Sequence, residues 1–369
     1  LKKVGILTFH AVDNYGAVLQ SFALKQALEK VGCVVSFVDY RPESIQKHYR
    51  WRWNRKGLIY GCNVINLLTA SKFSAFRKQH LPLSGNCCET LAQLARSTYD
   101  MDVAVFGSDQ IWNSFMFGGR LDPAYFGTFL PADIRRVAYA ASFGRVDGMA
   151  EQVGNLGQLL ESFHAVSVRE RSGADLLERA TGRAPVVALD PTLLQVDFTA
   201  LQQSVSGIKE RFIFVFALQY SASLKKAARE LSKRLGLMLV VAQSAATGFM
   251  LFEGHKRTVI ASPGQWLWLI KHAQHVVTNS FHGTVFSINM RTQFSTIPLE
   301  GNMAPRNERM TNLLSLLQLN GRFAGPAEGE AWLDQAQILI DWDLVAQRLR
   351  PHQDRSRHFL SKSVIGPKL

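Results

Sequence analysis

Short, continuous apolar runs that break into small and polar residues recur along the chain, and they restrict the fold more than any other feature. Val103-Ala-Val-Phe106 gives way at once to Gly107-Ser-Asp-Gln-Ile-Trp-Asn113, and Val276-Val277 to Thr278-Asn-Ser-Phe-His-Gly-Thr284. Runs without polar alternation suit strands buried on both faces, the kind found in parallel sheets covered by helices. The first forty residues spell out the unit: a strand over 4–9, a helix over 19–31 and a strand over 34–38. Residues 137–144 and 163–170 repeat the pattern, and a helix is predicted over 172–179. The run at 186–189 stops at Asp190-Pro191, because proline disfavours helix in the residue before it.

A polar interval over about 195–210 separates this series from a second one. There the pattern predicts a strand over 212–216, a helix over 223–235, a strand over 237–241 and a helix over 265–272. A strand starting at 275 then runs into a helix whose first turn holds His282. The predicted class is α/β, with two Rossmann-like domains facing a cleft. The domains are drawn as 1–200, 201–329, and a helix and basic tail over 330–369 that packs back on the first domain.

At 369 residues, 47% of them hydrophobic and 19% charged, the chain has enough apolar material for two ordinary cores. No apolar run is long enough to cross a bilayer, and Leu1-Lys-Lys leads into a strand pattern rather than a secretion signal. The four cysteines lack zinc-binding spacing and are too few for a disulfide scaffold, so a reducing cytoplasm is the expected compartment. Two segments hold most of the net charge of +13: residues 41–60 and the tail from Arg348 each carry six cations against one acid. Such charge suits an anionic substrate or an anionic membrane. The first segment interleaves Arg50, Arg52, Arg55 and Lys56 with Trp51 and Trp53, a pattern open to two readings: a solvated loop, or peripheral docking at the inner membrane face. No nucleic-acid module is recognisable, so no nucleic-acid partner is expected.

The chain has no dinucleotide fingerprint, Walker loop, H-E-x-x-H helix or G-x-S-x-G elbow. Chemistry is therefore sought in the clusters that follow each strand. Ser280 suits an N-cap, which would put His282 beside free backbone N–H groups and the positive end of a helix dipole. Asn14 is read as a helix cap; Gly16 and Gly107 allow either a close ligand or an ordinary turn. Asp109 suits binding an acceptor hydroxyl, taking its proton, or capping a helix. Ser108 and Ser142 complete the pocket candidates, with Trp112 either stacking on a sugar or packing in the core. Arg169 suits a carboxylate or phosphate, or an ion pair with Glu170.

These residues carry a resemblance. Asn14-Tyr-Gly-Ala-Val-Leu-Gln20, Phe106-Gly-Ser-Asp-Gln-Ile-Trp-Asn113, Tyr139-Ala-Ala-Ser-Phe-Gly144, Ser167-Val-Arg-Glu170, Asp190-Pro-Thr-Leu-Leu194 and Thr278-Asn-Ser-Phe-His-Gly-Thr284 follow one another as in the polysaccharide pyruvyl transferase family, which the chain resembles from about residue 4 to 319. The resemblance implies a two-domain fold like that of GT-B glycosyltransferases. It also implies transfer of the enolpyruvyl group of phosphoenolpyruvate to sugar hydroxyls of a polysaccharide or lipid-linked precursor, with phosphate released. His282 matches the family's active-site histidine and Arg169 its donor-binding arginine. Arg309 aligns with a further expected cation, with Arg306 as runner-up. Some relatives have Arg-Leu-His where this chain has Ser280-Phe-His282, so one expected cation is absent. No cofactor or metal is expected, and phosphoenolpyruvate is the donor substrate. A nucleotide-sugar glycosyltransferase and a non-catalytic sugar-binding protein are the alternatives.

Overall fold

The computed structural model describes residues 1–49, 62–147, 149, 153–242 and 256–366. The aromatic and basic stretch from Arg50 to Lys56 singled out above lies outside them. The chain divides into two compact units, one formed by the described residues of Leu1–Arg50, Arg77–Val196 and Pro351–Leu369, the other by those of Trp51–Phe76 and Asp197–Arg350.

The first unit is built on a seven-stranded sheet: β1 (Lys2–Leu7), β2 (Cys33–Tyr40), β3 (Leu83–Cys88), β4 (Val103–Asp109), β5 (Arg135–Ala141), β6 (Phe163–Val168) and β7 (Val186–Val187). Every pairing is parallel, in the order β3-β2-β1-β4-β5-β6-β7. Its described helices are α1 (Tyr15–Lys30), α2 (Glu43–Tyr49), α3 (Cys62–His80, shared with the second unit), α4 (Leu91–Ala95), α5 (Val153–Leu160) and α6 (Arg171–Thr181). β4 and β5 are buried along their whole length, which is why Val103–Phe106 and Val137–Ala141 read without polar alternation.

The second unit holds a five-stranded parallel sheet, β8 (Phe212–Phe216), β9 (Met238–Ala242), β10 (Lys256–Val259), β11 (His275–Thr278) and β12 (Phe294–Thr296), in the order β10-β9-β8-β11-β12. Around it lie α7 (Ala222–Leu235), α8 (Pro263–His272), α9 (Phe281–Asn289), α10 (Glu308–Leu316) and α11 (Glu330–Gln337). Helix α12 (Trp342–Ile365) begins in this unit and ends in the first.

Strand order reverses between β1 and β4 in the first sheet and between β8 and β11 in the second, the switch points where open parallel sheets offer a crevice beyond the strand ends. A threonine hydroxyl bridges each. Thr8 donates to the Ser108 carbonyl at 2.8 Å, and Thr278 donates to that of Phe216 at 2.6 Å.

The domain lines drawn from sequence need three changes. Residues 62–76, 197–200 and 330–350 group with the second unit, and only the part of the tail from Pro351 returns to the first. The single helix expected over 330–350 is two, α11 and α12, separated by Ile338 and its neighbours. No helix among the described residues is long and apolar enough to cross a membrane.

Candidate active site

In the second unit, residues 278–284 turn from strand to helix within a few positions. Ser280 is the N-cap of α9, and its hydroxyl accepts from the Gly283 N–H at 3.3 Å. The first turn contains no acid, so nothing on it neutralises the positive end of the helix dipole. His282 lies in that turn, nine-tenths buried, its ring edge-on to Phe281 at 5.2 Å. Glycine is required next: a Cβ on Gly283 would come within 2.4 Å of the Thr278 hydroxyl, so its absence lets the turn press onto the end of β11.

Arg309 lies on α10, buried, with its guanidinium carbon 5.3 Å from the centroid of the Phe281 ring, within cation–π range. Phe281 thus connects the histidine to a cation twenty-seven residues beyond it. Arg306 is half-buried on the preceding turn, Gly301–Asn307. The contact with Phe281 brings Arg309 to the His282 turn.

Neutral amides fix the surrounding loops. The Asn279 carboxamide accepts from the N–H groups of Leu218 and Gln219 at 2.8 and 3.3 Å and donates to the Gln219 carbonyl at 2.6 Å. Gln219 in turn accepts from the Glu300 N–H at 3.1 Å and donates to its carbonyl at 3.3 Å. Asn307 grips both backbone groups of Leu299. Sequence reasoning missed these amides. Asn279 stands inside the quoted motif, but its partners are sixty residues away.

The strand ends of the first unit are built differently. Arg169 is buried among acids: Nε donates to Glu170 at 3.0 Å, Nη1 to Asp190 at 2.8 Å, and Nη2 lies 4.0 Å from Asp109. Burial disfavours the charged guanidinium, but the carboxylates of Glu170, Asp190 and Asp109 outweigh it and hold Arg169 above its usual range. Three acids surround one guanidinium. Arg169, matched by resemblance to the donor-binding arginine, is thus paired internally: the ion pair with Glu170 that the sequence left open is present, and Asp190 joins it, a partner that sequence reasoning did not connect to it. Glu170 is also the N-cap residue of α6, so an acid already occupies that helix terminus.

Asp109 adopts φ +74°, the left-handed region, which costs a non-glycine residue on the order of 1–3 kcal/mol. Its carboxylate accepts from the Gln110 N–H at 2.8 Å. The pocket candidates around it are mostly closed off. Trp112 is fully buried, stacked on Phe126 at 5.1 Å and donating to the Tyr125 carbonyl, so it is core and not a sugar platform. The buried Ser108 hydroxyl donates to the Ala140 carbonyl at 2.9 Å, and that of Ser142 to Glu170 at 2.7 Å. At Gly107 the close approach is made by the neighbouring strand: a Cβ would meet the Tyr139 carbonyl oxygen at 2.3 Å. Asn14 caps α1 by accepting from the Ala17 N–H, and Gly16 is buried in the first turn of that helix.

Two parallel sheets, with helices joining their strands and polar groups beyond the strand ends, define a GT-B-type fold of two Rossmann-like units. Solved structures agree in fold. The structure of S. aureus MnaA with UDP matches with a TM-score of 0.55 at 12% identity, over 100% of this chain and 98% of that one. Arabidopsis thaliana UGT89C1 with UDP-L-rhamnose matches with a TM-score of 0.55 at 9% identity, over 100% and 99%. The UDP-GlcNAc 2-epimerase of Neisseria meningitidis bound to UDP-GlcNAc gives 0.52 at 8%, over 100% of both. No match was found among curated proteins. The family profile for polysaccharide pyruvyl transferase matches residues 14–299, and the chain belongs to that family of transferases. The matched stretch contains Asp109, Arg169 and His282 and ends before Arg306 and Arg309.

Proposed function

We propose that this transferase moves the enolpyruvyl group of phosphoenolpyruvate onto sugar hydroxyls of a polysaccharide or a lipid-linked precursor, leaving a pyruvate ketal and free phosphate. One observation carries the reading: a helix N-terminus with a neutral cap, no acid in its first turn, a histidine within that turn, and an arginine against the same phenylalanine. Backbone N–H groups and Arg309 supply positive potential for the donor's phosphate and carboxylate without a metal. His282 gives a proton to C3 of the enolpyruvyl group as a sugar oxygen bonds to C2. The C2–O bond to phosphate breaks, and a second hydroxyl of the same sugar closes the ketal. The two hydroxyls lose two protons; one replaces the proton given to C3 and the other leaves on phosphate.

The test is phosphate release from phosphoenolpyruvate that depends on added saccharide, with a pyruvate mass increment on that saccharide. Release that ignores the acceptor, or the lack of any increment across a broad panel, overturns the reading. Glycosyl transfer from a nucleotide sugar is the second reading, favoured by the UDP and UDP-sugars in the structures similar in fold. Thermal protection by phosphoenolpyruvate but not by UDP-sugars separates the two, and protection by neither points to a non-catalytic sugar-binding protein.

We place the enzyme in the cytoplasm, in peripheral contact with an anionic membrane. The charge and tryptophans of residues 41–60 support this, as do the exposed Leu67 and Leu68 on α3, which follows that segment. Salt-sensitive binding to anionic vesicles, lost when Arg50, Arg52, Arg55 and Lys56 are neutralised, is the expected result. Equal binding by wild type and that variant excludes the segment as the anchor.

A further inference from the structure

Beyond the ends of β4 and β5, one cation of the first unit stands apart from the acid cluster. The Arg145 guanidinium lies over the ring of Phe115, with 3.5 Å between its central carbon and the ring centroid. Among the described residues it forms no ion pair, and its buried Nε has no hydrogen-bond acceptor. Phe115 is 48% exposed, so part of its ring remains open to solvent.

Two loops hold this pair in place. Asn113 caps the short turn Ser114–Phe117, its carboxamide oxygen accepting from the Phe115 N–H at 3.2 Å while its nitrogen donates to Gln110 at 2.8 Å. On the other side, Gly144 has φ +70° and packs so closely on those amides that a Cβ would lie 2.3 Å from the Gln110 oxygen and 2.6 Å from the Asn113 nitrogen. The Gly144 N–H donates to Ser142, whose hydroxyl donates to Glu170. Arg145 is thus delivered onto Phe115 from a loop tied to the acid cluster, while Asp109, Glu170 and Asp190 are all grouped around Arg169.

We propose that Arg145 and Phe115 form a binding site for an anionic saccharide, the guanidinium taking paired oxygens of a carboxylate or phosphate and the exposed part of the ring packing on the sugar's C–H face. A guanidinium held over an aromatic ring is desolvated on the covered face and keeps its terminal N–H donors for a ligand at its edge. Paired oxygens fit that edge as a fork, and a neutral sugar does not. This deepens the reading above, on which it rests for the acceptor being a saccharide: it adds that the acceptor carries negative charge.

The experiment is calorimetric titration of the full chain, without phosphoenolpyruvate, with galactose, galacturonate and galactose 1-phosphate. An Arg309→Gln background keeps the proposed donor site from contributing. At least one anionic sugar is expected to bind about 10-fold more tightly than galactose, as charge-assisted paired hydrogen bonds would give. Comparing the two anionic probes tells a carboxylate from a phosphate. Adding Arg145→Gln should bring the ratio to about one, Arg145→Lys should recover only part of it, and Phe115→Leu should weaken all three sugars. Melting temperatures within a degree or so of the parent identify variants that fold. The absence of any preference for the anionic sugars, of any measurable binding, or of any effect of Arg145→Gln on the preference overturns the proposal. Because no turnover is read, a chain that fails to transfer pyruvate can still pass this test.

Discussion

The two sheets end in opposite electrostatics. Beyond the first, a buried arginine and three carboxylates satisfy one another, and the following helix α6 starts at an acid, Glu170. Beyond the second, hydroxyls and carboxamides do the tying, and α9 starts at a serine with a histidine in its first turn. Both are strand-to-helix junctions; the first contains an arginine and the second is met by one from α10, and resemblance alone would assign either to the donor. The difference lies in what each junction leaves for an incoming anion: excess negative charge at the first, an unneutralised helix terminus at the second. Strand-end position identifies where ligands bind in such folds; the sign of the charge there decides which ligand.

The most severe way to probe the second junction is to remove its proton carrier. His282→Ala is expected to lower phosphoenolpyruvate-dependent turnover by about 10²–10⁴-fold, the usual contribution of a general acid. Donor affinity, read by thermal protection, should fall much less. Next comes the arginine of the first junction. Arg169→Gln leaves buried carboxylates without their cation and should cost about 3–5 kcal/mol in urea unfolding. Arg309→Gln should instead weaken protection by phosphoenolpyruvate while leaving the unfolding midpoint nearly unchanged. If both arginines behave alike in these two measurements, the contrast fails.

A smaller effect concerns the start of an interior strand of the second sheet. His275 is buried at the start of β11, bonded to Ser295 at 2.9 Å, and burial assisted by nearby Arg322 lowers its pKa to about 3. The folded state therefore keeps it neutral where the unfolded chain takes up a proton below pH 6.5. Its contribution to stability is complete above pH 6.5 and is progressively lost as pH falls toward 3, amounting to about 2 kcal/mol by pH 5. Urea unfolding between pH 7 and 5 should show this loss in wild type and a flatter profile in His275→Gln. The smallest change imports the first junction's feature into the second: Ser280→Asp keeps a good N-cap but places an acid at the α9 terminus. We expect roughly 10-fold weaker donor binding with little change in stability. Unchanged donor affinity would remove the helix terminus from the binding account.

What the sequence disclosed follows from how local each feature is. Ser280 and Asn14 were readable as caps because a cap bonds to the backbone within three residues, and both do so. β4, β5, β8 and β11 announced themselves through burial on both faces. β3 did not: Leu83-Ser-Gly-Asn-Cys-Cys88 is a largely exposed edge strand without an apolar run. β10 and β12, the two edges of the second sheet, span only Lys256–Val259 and Phe294–Thr296. At the site, His282 could be placed from its neighbours alone. The pairing of Arg169 with Asp190 and the approach of Arg309 to Phe281 are tertiary facts that no spacing encodes. Trp112 shows the same limit, since its sequence position after a strand suits a pocket and only its packing on Phe126 declares it core.

The first unit is assembled from three separate stretches of chain, and this bears on how it is made. From Pro351 onward, α12 lies against the seven-stranded sheet's unit: Arg135 on β5 donates to the Ser363 and Gly366 carbonyls, the Ser356 hydroxyl accepts from the Leu189 N–H, and Gln353 donates to the Leu193 carbonyl. Leu360 and Val364 are buried there. A ribosome delivers these residues after the whole of the second unit. The unit that begins first can thus be completed only last, and for that interval the surface awaiting Leu360 and Val364 is open to chaperones, proteases or another nascent chain.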